Sequence, residues 1–296
     1  MRVLVTGAAG FLGSHIVTKL LENDADVICF DNRPGASVHP KQTWITADIT
    51  HEALVELVAS VAGDVDAVIH LAAMAAPREC DSNPSLAFDV NVNGTSQVLQ
   101  LALRCGAKKV VFSSSAHVYN IPPRYLPTDE SHPLHLGTTY TTTKILGEQL
   151  CQLYYNNHGL SYVALRLFNA YGPGQGLGYF IPDQIAKATT GKIDLQGSDI
   201  TKDWVFVEDV ADAFVSALDS NFCGPINIGT GVETDLGSIA FMISKAFKAE
   251  LVTSPATVPT RMCADWSRAQ RVLGWRPEIT LEEGLERTIE AWKNGH

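Results

Sequence analysis

The chain has 296 residues, 46% apolar and 18% charged, with a net charge of −10. That length carries one large or two modest domains with a substantial core, and the composition is that of a folded chain, not a disordered one. The acidic balance argues against a nucleic-acid partner, and no apolar run approaches the length of a membrane span.

The N-terminal "MRVLVTGAAG" passes straight from a short apolar run into a glycine turn, so no signal peptide is expected. "RVLVTG", "DVICFD", "TWITAD", "AVIHLAA" and "KVVFSSS" read as strands. "FLGSHIVTKLLEND", "EALVELVASV", "NVNGTSQVLQLALRCG" and "TYTTTKILGEQLCQLYYNNHG" read as helices. Such alternation predicts parallel βαβ units, because a parallel connection needs a crossover. The strands are almost continuously apolar, as in a sheet covered on both faces, so an α/β doubly wound parallel sheet is expected. "YVALRLFN" looks like a further core strand. From residue 170 the texture changes: "AYGPGQGLGYFIPDQ" is rich in glycine and proline, and shorter elements follow. The expected division is a main domain over 1–169 and a smaller C-terminal lobe over most of 170–296. Segments near 203–230, "DWVFVEDVADAFVSAL" and "PINIGTG", are expected to return to the main sheet. The six cysteines have no C-x-x-C spacing, which suggests neither a zinc site nor a disulfide framework and fits a reducing cytoplasm.

"VTGAAGFLGS" sets Gly7, Gly10 and Gly13 three residues apart between a predicted strand and helix. The first glycine permits a tight turn, the second lets a pyrophosphate approach the backbone, and the third lets helix and strand pack closely. Phe11 and Leu12 open the helix whose free N–H groups would meet the phosphates. Asp31, followed by Asn32, closes the second strand, where an acid accepts hydrogen bonds from an adenosine ribose. A carboxylate there repels a 2′-phosphate, which favours NAD over NADP, although Arg33 could contact such a phosphate. Asp48 and Ile49 are placed to edge an adenine pocket; Asp48 can equally cap its strand end.

"FSSSAHVY" ends the fifth strand, so Ser113, Ser114 and Ser115 fall where ligands collect in an open parallel sheet. In "YTTTK" Tyr140 and Lys144 share a helix face. The threonines between them read as helix surface.

Taken together, the glycine triplet, "HLAA" at 70–73, "NVNGT" at 91–95, "SSSAHVY", "YTTTK", "RLFNAYGP" and "SRAQRVLGW" resemble, in order, the extended short-chain dehydrogenase/reductase family. The particular resemblance is to nucleotide-sugar epimerases and dehydratases, and it covers essentially the whole chain. It implies a Rossmann domain that binds NAD, with Tyr140 as general base and Ser115 on the substrate oxygen. Lys144 would hold the nicotinamide ribose and favour phenolate, since a free phenol with a pKa near 10 is a poor base. Leu71, Ala72 and Ala73 would line the cofactor groove, Asn91 would support it, and Phe168 would pack near the nicotinamide; Asn91 can also be read as a helix N-cap. Dehydratases of the family carry an acid pair after the serine, where this chain has Ala116 and His117. The resemblance therefore points to a nucleotide-hexose 4-epimerase, with a keto-sugar reductase or a non-catalytic NAD-binding sensor as alternatives.

The implied substrate is a nucleotide-diphosphate sugar. Asn169 matches a residue on the diphosphate side, Lys202 stands where an arginine commonly grips the diphosphate, and His117 is a candidate to meet the sugar, able to serve as acid or base or simply to pack or cap its turn. A second diphosphate arginine is missing, with Pro255 in its place and Arg261 nearby as a substitute. Tyr179 and Phe180 are candidates to stack on base or sugar, or to plug the core between the lobes. No metal is expected, and the family implies a homodimer through a helix bundle.

Overall fold

The computed structural model describes residues 1–35, 39–51, 53–119, 121–258 and 260–295. In chain order the strands are β1 (Arg2–Thr6), β2 (Asp26–Asp31), β3 (Gln42–Thr46), β4 (Ala67–His70), β5 (Lys109–Ser115), β6 (Ser161–Leu167), β7 (Asn169–Tyr171), β8 (Lys192–Gln196), β9 (Thr201–Phe206), β10 (Gly224–Ile228), β11 (Glu233–Asp235) and β12 (Glu250–Ser254). The α-helices are α1 (Phe11–Glu22), α2 (Leu54–Ala62), α3 (Pro77–Ser82), α4 (Pro84–Phe88), α5 (Gly94–Arg104), α6 (Thr139–His158), α7 (Phe180–Thr189), α8 (Val207–Asp219), α9 (Leu236–Phe247), α10 (Ser267–Leu273) and α11 (Leu281–Lys293).

Seven strands form one parallel sheet in the order β10-β6-β5-β4-β1-β2-β3. Its strands are apolar on both sides because both sides are covered. Val3 and Val5 join a core with Ile16 and Leu20 of α1 and Phe214 of α8. Leu4, between them, points the other way into a core with Leu54 of α2, Leu99 of α5 and Cys151 of α6. Alternate residues of one strand thus feed two hydrophobic layers, which is the physical content of a doubly wound sheet.

The chain leaves β1 towards β2 and β3, then returns to the other side of β1 as β4. Strand order reverses there, and a crevice opens beyond the carboxyl ends of β1 and β4. A second core gathers Tyr171, Ile181, Ile185, Trp204, Phe206, Ile239 and Leu285 around α7, β9, α9 and α11.

One expectation needs correction. "DWVF" does not rejoin the main sheet: β9 pairs with β7 and β11 in a separate three-stranded sheet. "PINI" does rejoin it, as edge strand β10 beside β6. The α8 segment that follows β9 packs on α1 over the main sheet.

Candidate active site

The glycine turn is built as its spacing requires. Gly7 has φ +72°, and a Cβ there would lie 2.7 Å from the Ala72 backbone nitrogen. At Gly13 a Cβ would stand 2.1 Å from the Gly7 carbonyl oxygen. The Gly7 position thus demands a left-handed backbone, and both glycines permit contacts that any side chain would break. Gly10 precedes α1 with no side-chain cap, so the first N–H groups of the helix stay available for an anion. Phe11 and Leu12 are half-buried against the second core.

Asp31 ends β2 beside this turn. Its carboxylate accepts from the Ala9 N–H at 2.9 Å and from the Arg33 N–H at 3.0 Å. The Arg33 guanidinium lies across the turn and donates to the Ala9 carbonyl at 3.0 Å. Asn32 is exposed next to them. Asp48 is engaged locally, accepting from the backbone and hydroxyl of Thr50 at 2.8 and 2.7 Å, as a turn-closing cap does. Ile49 is buried against Gly94.

The "HLAA" loop hangs from Thr6, whose hydroxyl oxygen accepts from the N–H groups of Leu71 and Ala72, both at 3.2 Å. Ala73 follows, half-buried. His70 bridges Thr6 and Thr95, with Nδ1 2.7 Å from one hydroxyl and Nε2 2.9 Å from the other. Thr95 spends its own proton on the Asn91 carbonyl, 2.6 Å away, so His70 donates from Nε2 and accepts at Nδ1. Burial brings the pKa of His70 down to about 3, which keeps it neutral.

Asn91 is not a helix N-cap. It is buried in a π-turn over Asp89–Asn93, where it clasps the Met74 backbone, accepting at 2.8 Å and donating at 3.0 Å. It also donates to the Thr143 hydroxyl at 3.0 Å, and Thr143 donates to the Tyr140 carbonyl at 2.8 Å. The threonines of "YTTTK" are therefore not all surface. Thr143 is fully buried, and Thr141 closes a capping box with Thr138 that starts α6.

Ser115, Tyr140 and Lys144 converge. All three are buried, the Lys144 ammonium stands 5.8 Å from the Tyr140 ring centroid, and it donates to the Ser113 carbonyl at 2.8 Å. Burial lowers the pKa of Lys144 to about 8. With the protein's own groups alone, Tyr140 is not the easily ionised phenol that Lys144 was expected to make. Burial pushes its pKa up to about 12; the Ser115 hydroxyl pulls it back, while Tyr179 and Cys80 add to the rise. Phe168 is buried beneath the Ala116–Val118 turn with Ile145.

These features belong together in one lineage. A model of the NAD-dependent epimerase/dehydratase family matches residues 3–229. The chain belongs to that family. It is 35% identical to the UDP-glucose 4-epimerase of Mycolicibacterium smegmatis, over 99% of both chains. It is 32% identical to UDP-glucuronic acid decarboxylase 3 of Arabidopsis thaliana, over 96% of this chain and 87% of that one. Among solved structures, UDP-glucose 4-epimerase of Thermus thermophilus in complex with NAD superposes with a TM-score of 0.91 at 28% identity, over all of both chains. As a member of this family the chain is an NAD-dependent enzyme of the extended short-chain dehydrogenase/reductase type.

Asn169 donates to the Asp203 carbonyl at 2.9 Å, and its own oxygen accepts from Lys202 at 3.5 Å. Burial lowers the pKa of Lys202, and among the described residues no carboxylate offsets it. A half-buried ammonium without an acid partner is unfavourable until an anion arrives. His117 sits against Ser115 and within the field of Lys202. Tyr179 is exposed near Tyr140, whereas Phe180 packs at a tilt against Trp204, ring centroids 5.6 Å apart, and joins the second core, so of the two Tyr179 is left to meet a ligand. Arg261 does not accompany Lys202. It forms a two-pronged pair with Glu233, which stands opposite Asp203 in the β9–β11 ladder and so shares the face that Lys202 turns away from.

Sequence reasoning missed a buried ion pair behind the site. Arg166 of β6 donates to both carboxylate oxygens of Glu148, at 2.9 and 2.6 Å, and Ser114 donates to the same carboxylate at 2.5 Å. Arg166 also donates to the Tyr119 hydroxyl at 3.1 Å, and Tyr119 to Asn227 at 2.5 Å. The available signal was spacing: Glu148 follows Lys144 by one helical turn.

Proposed function

We propose that the chain is a nucleotide-sugar 4-epimerase acting on a nucleotide hexose such as a UDP-hexose. The observation that carries this is the convergence of Ser115, Tyr140 and Lys144 beyond β5, beside a glycine turn cut to fit a dinucleotide. The division of labour follows: residues 1–169 bind NAD, and 170–296 supply mainly the sugar-nucleotide side. The Gly7 and Gly13 contacts, the open start of α1 and Asp31 fit the dinucleotide. These residues would hold NAD, which would supply a reversible hydride acceptor for the sugar's C4 carbon.

The protein's own residues handle the proton. Tyr140 takes it from the C4 hydroxyl, and Ser115 holds the sugar oxygen while charge builds on it. Lys144 holds the ribose and adds a positive charge on the phenol side. Lys202 and Asn169 meet the diphosphate, with a point charge where a guanidinium would grip two oxygens. Tyr179 covers the sugar. Absence of an acid beside Ser115, where Ala116 and His117 stand, favours return of hydride over elimination. We assign the working form to a homodimer through α5 and α6, with Leu153 and Tyr155 of α6 exposed.

The test is direct: the purified protein retains NAD and interconverts UDP-glucose and UDP-galactose without added coenzyme. Stoichiometric consumption of NADH on a keto-sugar would replace this reading with a reductase, and a pentose product from a uronic acid would replace it with a decarboxylase.

The lowered pKa of Lys144 sets a pH dependence. Its ammonium is lost through about pH 8 instead of near 10.5, so the grip on the ribose is full below that pH and absent above it. Affinity of cofactor-stripped protein for NAD, by equilibrium dialysis, should fall by about tenfold between about pH 7 and pH 9, while Lys144→Met should be weak and flat across that interval. A wild-type affinity that does not change would contradict the assignment.

A further inference from the structure

His117 holds Ser115 twice. Its backbone N–H donates to Ser115 Oγ at 3.2 Å, and its ring Nδ1 stands 3.2 Å from the same oxygen. The imidazole also meets the Tyr140 ring edge to face, with centroids 6.4 Å apart. The Ser115 hydroxyl in turn bears on the phenol. Burial and the Lys202 cation bring the pKa of His117 down to about 4, so the ring is neutral and carries one N–H. Which nitrogen carries it decides where the Ser115 proton goes.

Nδ1 is the ring nitrogen turned to Ser115, and Ser115 spends its own hydroxyl proton on the phenol, whose pKa it pulls down. The imidazole proton therefore sits on Nδ1. Ser115 Oγ receives two N–H donors, which fill both of its lone pairs. Its own proton has one direction left, towards the oxygen of Tyr140.

We propose that His117 is a positioning residue that makes Ser115 an obligate donor, its single proton going to the Tyr140 oxygen in the sugar-free protein and to the substrate oxygen beside it once the sugar binds. Its value in turnover rests on the function proposed above; the direction of the hydrogen bonds does not. The charged and titratable groups facing these residues are Lys202 of β9 on His117, and Lys144 of α6, Cys80 of α3 and Tyr179 before α7 on Tyr140.

The experiment is an ultraviolet titration of tyrosinate in the full-length, NAD-loaded protein, with the Tyr140→Phe signal subtracted. His117→Ala should raise the apparent pKa of Tyr140 by about one pH unit, the worth of one hydrogen bond to a charged oxygen. His117→Asn, whose amide N–H can reach the same oxygen, should restore most of that. Ser115→Ala should raise the pKa by a similar amount, and His117→Ala should add nothing in that background. A pKa that stays put, or that falls because Ser115 has been freed to donate, would overturn the proposal. Nitrogen-15 NMR of wild-type His117 supplies a readout without substitution: a proton on Nδ1 is expected, and a proton on Nε2 with Nδ1 bare would overturn it. Neither measurement needs a sugar, so a protein with the expected shift and no turnover would keep this inference and lose the epimerase reading.

Discussion

Tyr140→Phe is expected to lower kcat by about 10³-fold, within the range typical for removal of a general base. The fold should survive. The phenyl ring occupies the same buried space, and the interaction of the hydroxyl with Ser115 is worth about 1 kcal/mol to stability. Retained NAD and an unchanged unfolding transition would show that the loss lies in chemistry. The magnitude follows from the local balance of forces. Burial holds the phenol up to about 12, so the resting protein keeps its proton there. Ionisation must then be driven by charges the loaded site adds, together with Lys144, whose ammonium lies 5.8 Å from the ring centroid. At an effective dielectric constant of about 20 a unit charge at that distance is worth about 3 kcal/mol, of the same size as the rise in the phenol's pKa. A Phe variant that turns over substrate at an undiminished rate would remove Tyr140 from the mechanism.

Arg166→Met is expected to cost about 3–5 kcal/mol of stability, because it leaves the Glu148 carboxylate buried without its partner. Both side chains are almost fully enclosed, and the pair ties α6 to β6 one turn beyond Lys144. Removing both charges, as Glu148→Leu with Arg166→Met, should restore at least about 2 kcal/mol relative to the single change, since no charge is then stranded. Equilibrium unfolding in urea checks both numbers. If the single variant loses less than about 1 kcal/mol, the pair behaves like an exposed one and does not lock α6. Because Lys144 and Glu148 lie one turn apart, turnover should fall in the single variant and recover only in part in the double one.

Much of the cofactor turn was legible in the sequence because its constraints are local. Gly7 and Gly13 are fixed by clashes within a few residues or with the adjacent loop, and such clashes leave glycine as their signature. The register of α6 was legible for a similar reason: residues four apart must share a face. β9 was misread because "WVF" is as apolar as any strand of the main sheet. Which sheet it joins is decided by β7 and β11, and nothing within the segment encodes those partners. Thr143 looked like surface until Asn91, 52 residues away, supplied its hydrogen bond. His70 and Thr6 meet across 64 residues, and Arg166 and Glu148 across 18, and no periodicity announces such pairs. Arg261 shows the same limit for charge: a free cation in the sequence becomes a neutralised one once Glu233 folds beside it.

The proposed reaction sends hydride from C4 of the sugar to the coenzyme and back to the same carbon within one bound complex. A UDP-hexose carrying deuterium at C4, incubated with the NAD-loaded protein and excess unlabelled NADH, measures this directly. The epimeric product should keep its deuterium at C4, and none should reach the free coenzyme. Transfer of the label to the NADH pool, or an epimer with hydrogen from water at C4, would contradict it.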